Sequence, residues 1–137
     1  MKKITLLIAL VCAQVVIFAQ KGDEAILKEL DKNKDAYGVI AQQIWDYAEM
    51  GYLEEQSTAL LQKTLSDEGF AIKNGVAGIP TAFIAEYGSG APVIAILGEY
   101  DALPGLSQER VPEKKSAGKA AGHACGHHLF GTASAAA

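Results

Sequence analysis

The sequence predicts an α/β fold in which two helices precede the first strands. Apolar residues recur at spacings of three and four over residues 25–50, which is typical of a helix with one buried face. Residues 92–97 are apolar on both faces, which is typical of a central strand. Polar residues follow this strand at once, at the carboxyl end where open α/β sheets place their ligand-binding groups.

The helices are predicted from their apolar periodicity and their ends from glycine. The first helix stops before Gly51, and a second is predicted over residues 55–68 with Gly69 as its carboxyl-terminal cap. A last helix is predicted after His128, where small residues of good helix propensity follow. The side chains expected to face inward include Ile26, Leu30, Tyr37, Ile40, Ala41, Ile44, Tyr47 and Ala48 in the first helix, and Leu60, Leu61 and Leu65 in the second.

Turn-forming residues separate the predicted strands. Two strands are expected before the central one, over residues 70–73 and 81–87, with a turn at Asn74 and Gly75 between them. Residues 106–119 are polar and predict an irregular loop that connects the strands to the last helix.

The first 19 residues are predicted to be a secretory signal peptide. Lys2 and Lys3 precede a mostly apolar run from Ile4 to Ala19, which is shorter than the roughly 20 residues of a membrane span. Cleavage near Ala19 would give an exported protein, periplasmic or secreted, that does not contact the membrane. A buried core helix is the alternative, but the run is not amphipathic. Cleavage would also leave Cys125 as the only cysteine, so no disulfide would form within the mature chain.

Size and charge restrict what the chain can be. Its 137 residues are half apolar and 20% charged, which suits one modest core or a piece of a larger domain. The formal net charge of -4 gives no electrostatic support for nucleic-acid binding, which needs a clustered basic surface. The last predicted helix has no capping signal where the sequence stops, so we expect residues 20–137 to be a truncated domain.

The segment GHACGHH at residues 122–128 carries the ligand chemistry of the chain. A thiolate and a neutral imidazole suit zinc best, and Gly126 lets Cys125 and His127 converge on one ion. We therefore predict both residues to be metal ligands. Taken singly, Cys125 is also compatible with a small buried apolar side chain, and His127 with a polar residue beside a turn. Two ligands cannot close a tetrahedral site, so the chain supplies at most part of a metal centre.

Asp101 is the other residue predicted to serve the site, because it follows the central strand directly. A turn or a helix cap is the alternative role for its carboxylate. Glu99 lies beside the site, but we do not assign it as the catalytic base. His123 and His128 are weaker candidates, and neither is predicted to be a ligand.

Two separated motifs resemble the zinc aminoacylase and carboxypeptidase superfamily of metal-dependent amidohydrolases, and within it the aminobenzoyl-glutamate hydrolase type. The first is IAILGEYDALPGLSQ at residues 94–108, and the second is GHACGHHLFG at residues 122–131. The likeness extends upstream through residues 44–52 and 75–83, so it covers nearly all of the chain after residue 20. It implies a zinc-peptidase-like catalytic domain with a central mixed sheet flanked by helices, of which this chain is the amino-terminal part without the lid domain.

The resemblance also implies roles for individual residues. Cys125 and His127 correspond to two ligands of a two-metal centre, for which zinc is the first choice and manganese is possible. Asp101 corresponds to the carboxylate that orients a ligand histidine, and a carboxylate in this position fixes the imidazole tautomer. His128 stands where relatives commonly carry Asp or Asn, which indicates a residue of the pocket wall or one that contacts the ligand residues from behind. The general base and the remaining ligands are expected from segments after Ala137.

The implied activity is metal-dependent hydrolysis of an amide bond in a small N-acyl or N-aroyl amino acid, such as aminobenzoyl-glutamate, or in a dipeptide. A homodimer or hetero-oligomer is expected for the full-length protein, and the isolated 137 residues are expected to be inactive. The alternative from another class is a secreted module that binds a metal or a small ligand without turnover.

Overall fold

A computed structural model describes the backbone of residues 2–137 and the side chains of residues 24–137. The chain divides into two compact units, of which the first ends at Asp35 and the second covers Ala36–Ala137. The elements in chain order are α1 (Lys2–Tyr47), α2 (Glu55–Asp67), β1 (Ala71–Asn74), a short 3-10 turn (Val76–Gly78), β2 (Phe83–Glu86), β3 (Leu103–Pro104), β4 (Ala121–Gly122) and α3 (His127–Ala136).

The first predicted helix is confirmed as the carboxyl-terminal part of α1, but its inward face is shorter than expected. In the second unit, Ala41 and Ile44 are buried. In the first unit, Ile26 and Leu30 are exposed, so their predicted burial is wrong. The described residues of that unit form a single helix, which has no second apolar surface to pack against.

The predicted signal peptide, residues 1–19, lies outside the part of the chain whose side chains the structure describes, and it stays a prediction. In that described part, no helix combines the length and the apolar character needed to cross a membrane.

The second predicted helix is confirmed as α2, and Gly69 ends it as expected. The Gly69 N–H donates to the Ser66 carbonyl at 3.0 Å, and the Phe70 N–H donates to the Leu65 carbonyl at 3.1 Å. This pair of bonds is a Schellman motif, which satisfies carbonyls that the end of the helix leaves without a partner. The inward side chain of α2 is Leu61, which is buried with Ile44 in the core of the second unit.

The strands form two small antiparallel sheets instead of one mixed sheet. Strand β1 pairs with β2, with Ala71 opposite Glu86, and β3 pairs with β4, with Leu103 opposite Gly122. The strands predicted at 70–73 and 81–87 are therefore confirmed within a few residues, and residues 106–119 are the irregular loop that was expected. The mixture of helices and small sheets is consistent with part of an α/β domain.

The central strand predicted at residues 92–97 is wrong for this structure. None of these residues is assigned to a strand, and Val93 and Ile94 are 86% and 84% exposed. A strand that is apolar on both faces needs a paired strand at its edges and a cover on each face. No strand in the described part of the chain pairs with these residues, so the apolar pattern has nothing to be buried against.

Candidate metal centre

The backbone that carries Asp101 is anchored to the loop between α1 and α2. The N–H of Ala102 donates to the carbonyl of Glu49 at 2.7 Å, and Met50 and Ala102 form an isolated parallel bridge. Ala102 is 2% exposed, so these bonds lie in the core of the second unit. Asp101 is thus held at a fixed place although the segment before it belongs to no sheet.

Tyr100 anchors the same backbone on the side of α2. Its hydroxyl donates to the carbonyl of Thr81 at 2.5 Å, and the hydroxyl of Thr58 on α2 lies 3.1 Å from the Tyr100 oxygen. Burial raises the pKa of Tyr100, so the phenol keeps its proton and remains a donor at neutral pH. Residues on both sides of Asp101 are therefore fixed by hydrogen bonds to other elements.

His127 is the first residue of α3, and two glycines determine where it lies. Gly126 precedes the helix with φ of +78°, a left-handed conformation that side chains with a Cβ rarely adopt. Gly131, one turn further on, faces the backbone of residues 99–100. A Cβ at Gly131 would lie 2.9 Å from both the Glu99 carbonyl oxygen and the Tyr100 Cβ. The absence of a side chain there lets α3 approach the segment that carries Asp101.

The imidazole of His127 lies between two carboxylates. Its Nδ1 is 2.7 Å from the Asp101 Oδ1, and its Nε2 is 3.2 Å from the Glu99 Oε2. One ligand atom from each of the three residues lies within 4.8 Å of the others. A ring nitrogen with carboxylate oxygens is a donor set that zinc and manganese accept. The residues present can therefore supply part of the ligand set of a divalent cation, although the two carboxylates contact different nitrogens of the ring.

Cys125 is not part of this group of ligand atoms. It is a free and exposed cysteine in the turn before Gly126, and the group contains only Glu99, Asp101 and His127. The structure thus brings together two of the three residues predicted from the sequence, Asp101 and His127. The ligand role of Cys125 stays a prediction.

His123 and His128 pack against each other and beside Trp45, and neither belongs to the group of ligand atoms. The ring centroid of His128 is 4.9 Å from that of Trp45 and 5.1 Å from that of His123. His123 is 4% exposed, and its Nε2 lies 2.9 Å from the Ile44 carbonyl oxygen. Burial lowers the pKa of His123, and burial together with the neighbouring His123 lowers the pKa of His128 to about 4. Both rings are therefore neutral packing groups at neutral pH.

Two surface cavities lie beside Trp45, with volumes of about 400 Å³ and about 460 Å³. Both are lined by residues 108–111, and the larger also by His128, the residue expected in a pocket wall. The size suits a small organic molecule. Neither cavity has Asp101 or His127 in its wall, so the candidate metal centre lies outside both.

Sequence reasoning left Glu99 without a role, although its position contained a signal. Residues i and i+2 of an extended segment project to the same side, so Glu99 and Asp101 were candidates for one face. Glu49 was missed for another reason. Its carboxylate accepts hydrogen bonds from the N–H groups of Gln56 and Ser57 at 2.9 and 2.8 Å, and such capping at a distance has no local sequence pattern.

Several curated proteins are similar to this chain. One of them, a subunit of the p-aminobenzoyl-glutamate hydrolase of Escherichia coli, is 46% identical over 111 residues, which are 79% of this chain and 23% of that protein. The Xaa-Arg dipeptidase of Mus musculus is 32% identical over 120 residues, 80% of this chain and 24% of that protein. Thermostable carboxypeptidase 1 of Saccharolobus solfataricus is 34% identical over 90 residues, 64% of this chain and 22% of that protein. No protein-family model matches the chain.

These similarities define the class of protein first: all three relatives are named as hydrolases of amide or peptide bonds. The chain belongs to the aminoacylase and carboxypeptidase superfamily of metal-dependent amidohydrolases, as its motifs predicted. Within that superfamily it is similar to the p-aminobenzoyl-glutamate hydrolase subunit. It spans about a quarter of the length of the curated relatives that it matches.

Proposed function

We propose that the complete product of the gene containing this chain hydrolyses an amide bond in a small N-acyl or N-aroyl amino acid or in a dipeptide. The observation that carries the proposal is the Asp101 carboxylate 2.7 Å from the Nδ1 of His127. This contact occurs in a chain that is similar over most of its length to named amide hydrolases. A p-aminobenzoyl-glutamate-like compound is the first substrate to test, because the name of one relative contains it.

The carboxylate of Asp101 has a defined task in this site. A carboxylate at neutral pH only accepts hydrogen bonds, so the His127 Nδ1 must carry the proton in this contact. In the neutral form of the ring the other nitrogen, Nε2, has a lone pair, and this is the form of histidine that binds a cation. A carboxylate behind a ligand histidine also raises its basicity, and its loss typically costs about 10- to 100-fold in metal affinity or activity.

His127 and Cys125 are the proposed ligands from this chain, in a centre of two zinc ions, with manganese as the alternative metal. When bound, a divalent cation supplies Lewis acidity at the scissile carbonyl and stabilises charge that develops on its oxygen. The general base and further ligands are proposed to come from other parts of the complete polypeptide. Export after cleavage of residues 1–19 and assembly as a homodimer or hetero-oligomer belong to the same proposal.

The experiment measures hydrolysis of p-aminobenzoyl-glutamate and of a set of dipeptides by the complete gene product, together with its metal content. His127→Ala and Cys125→Ala should each lose bound metal and hydrolysis. Asp101→Ala should lose about 10- to 100-fold in metal affinity or hydrolysis, because the ring of His127 is no longer oriented. Glu86→Gln, which changes an exposed carboxylate on β2, is the control and should behave like the unaltered protein.

Two results would contradict the proposal. The first is full hydrolysis by His127→Ala or Cys125→Ala with no loss of metal. The second is metal binding by the unaltered protein without hydrolysis of any of these amides, which would instead support the alternative of a binding module. Chelation separates the two classes further, because removal of a structural ion unfolds a protein whereas removal of a catalytic ion abolishes turnover and leaves much of the fold.

A further inference from the structure

Glu54 is a buried carboxylate for which the proposed mechanism and the sequence motifs have no role. It directly precedes α2 and is 8% exposed. Carboxylates are rarely buried unless a partner is present. The partner in this structure is Thr81, whose hydroxyl donates to the Glu54 Oε2 at 2.7 Å. Within the described residues, the Glu54 side chain makes no capping hydrogen bond to α2, so its contact is with a different part of the second unit.

Thr81 connects Glu54 to the segment that contains Asp101. The Thr81 backbone carbonyl accepts the Tyr100 hydroxyl at 2.5 Å and the Thr58 hydroxyl at 3.0 Å. Thr81 is itself buried, so its side chain and its carbonyl are both held inside the second unit. Tyr100 directly precedes Asp101 in the chain. The position of Thr81 therefore sets where the backbone before the Asp101 carboxylate lies.

Glu54 also lies beside Asp101 in space, on either side of Gly51. A Cβ built on Gly51 would lie 3.9 Å from the Glu54 Oε1 and 4.0 Å from the Asp101 Oδ2. These are not the oxygens that contact Thr81 and His127, which are the Glu54 Oε2 and the Asp101 Oδ1. Loss of the Glu54 side chain would therefore change the packing next to Asp101 as well as the hydrogen bond to Thr81.

We propose that Glu54 is a positioning residue for Asp101 and acts on it through Thr81 and Tyr100. This inference rests on the proposed function, because Asp101 has its task in that centre. Glu54 holds the Thr81 side chain, the Thr81 carbonyl holds the Tyr100 hydroxyl, and the backbone after Tyr100 presents the Asp101 carboxylate to His127. The contribution of Glu54 is an acceptor oxygen at a fixed place.

Metal affinity of the complete gene product tests this role without relying on hydrolysis. The protein is stripped with a chelator, and zinc is titrated into it by calorimetry. Glu54→Ala should weaken zinc binding by about 10-fold, at the lower end of the about 10- to 100-fold loss that follows removal of a carboxylate behind a ligand. Glu54→Gln keeps an oxygen that accepts the Thr81 hydroxyl and should restore most of the affinity.

A second background separates positioning of Asp101 from a general effect on the fold. In protein that already carries Asp101→Ala, Glu54→Ala should cause no further loss of zinc affinity, because the carboxylate through which it acts is absent. Such non-additivity is expected for residues that belong to one hydrogen-bond network. An equal loss in both backgrounds would show that Glu54 does not act through Asp101.

Glu55→Ala is the matched control, because it makes the same change at the next position, which is exposed. Thermal unfolding of the metal-free variants checks that each is folded. Thr81→Val removes the hydroxyl that Glu54 accepts, so it should match Glu54→Ala in zinc affinity, and it replaces that variant if Glu54→Ala does not fold. Zinc affinity of Glu54→Ala or of Thr81→Val equal to that of Glu55→Ala would overturn the inference, as would a failure of the unaltered protein to bind zinc.

The outcome is separable from that of the proposed function. If Glu54→Ala lowers zinc affinity only when Asp101 is present, but the unaltered protein hydrolyses none of the amides, the positioning role stands and the function is wrong. If hydrolysis is confirmed and Glu54→Ala binds zinc as Glu55→Ala does, the function stands and Glu54 does not position Asp101.

Discussion

Two adjacent parts of the chain, residues 92–97 and residues 99–102, differ sharply in how they are held. The first is an apolar run with Ile94 84% exposed, and the second contains Ala102, which is 2% exposed. Sequence pattern favoured the first as the central strand and the second as its loop. The structure shows the reverse. Tyr100 and Ala102 are hydrogen-bonded to residues of other elements, whereas the apolar run pairs with no strand in the described part of the chain and is contacted by the Ser134 hydroxyl at the Leu97 carbonyl.

Asp101 and His127 are in contact although residues 92–97 form no strand. Asp101 is positioned by the hydrogen bond between Ala102 and Glu49, by the bonds of Tyr100, and by the close approach of α3 at Gly131. All of these partners lie in the second unit. The geometry around His127 therefore depends on α2, α3 and the loop between the first two helices.

Gly131→Ala should change how residues 99–102 are held more than the other variants do. The added Cβ disrupts the contact between α3 and residues 99–100 and should lower the free energy of unfolding. A Cβ would meet backbone and side-chain atoms at 2.9 Å, and overpacking of this kind costs about 1–3 kcal/mol. Gly38→Ala is the matched control, because Gly38 lies in α1 with no atom within 4 Å of the added Cβ. That variant should be stabilised by about 0.5–1 kcal/mol. Denaturant unfolding measures both, and a stabilised Gly131→Ala would contradict the close approach.

Glu49→Gln should lower the free energy of unfolding by a smaller amount, and this amount should depend on pH. Burial alone would raise the pKa of Glu49, but hydrogen bonds from Gln56 and Ser57 outweigh it and lower this pKa below its usual 4.5. The stabilisation is therefore fully present above the ordinary value and is lost as the pH falls through the lower folded-state pKa. Loss of a cap costs about 0.5–2 kcal/mol at neutral pH.

Unfolding free energies measured from neutral pH into the acid range check this prediction. The difference between the unaltered protein and Glu49→Gln should shrink as the carboxylate is protonated. Glu86→Gln is again the control for a change of charge. A difference in unfolding free energy that grows on acidification would show that the ionised carboxylate of Glu49 does not cap α2.

Ile94→Ser should have the smallest effect on the stability of the 137-residue chain. The side chain is 84% exposed, and surface substitutions usually change stability by less than about 0.5 kcal/mol. Ile44→Ser makes the same change at a position with 0% exposure and should destabilise strongly. Equal losses in the two variants, measured by thermal unfolding, would mean that residues 92–97 are buried in solution.

Much of the local structure follows from short-range pattern. The extent of α2 and the cap at Gly69 were predicted within one residue, because spacing of apolar residues and a glycine at the helix end act over a few positions. The same reasoning placed β1 and β2, with Asn74 and Gly75 between them. It failed for Ile26 and Ile94, since an apolar pattern states what can be buried and not whether a partner surface is present.

The candidate site was predicted in part for the same reason. Residue types in GHACGHH indicated metal ligands, and the likeness of the motifs indicated Asp101 as the partner of a histidine. Which ring nitrogen meets which carboxylate could not be predicted, and Glu99 was left without a role. Trp45, His123 and His128 form a packed group that no spacing rule describes, because Trp45 belongs to a different helix.

Local sequence accounts for the helices, the turns and the chemical identity of the ligand candidates, because these depend on neighbouring residues and on side-chain type. Packing between distant elements places His127 between Glu99 and Asp101, although Asp101 is 26 positions away along the chain. That contact requires α3 to approach the segment before Ala102 within the space left by Gly131. Such a distance is set by packing between elements, and no pattern along the chain encodes it.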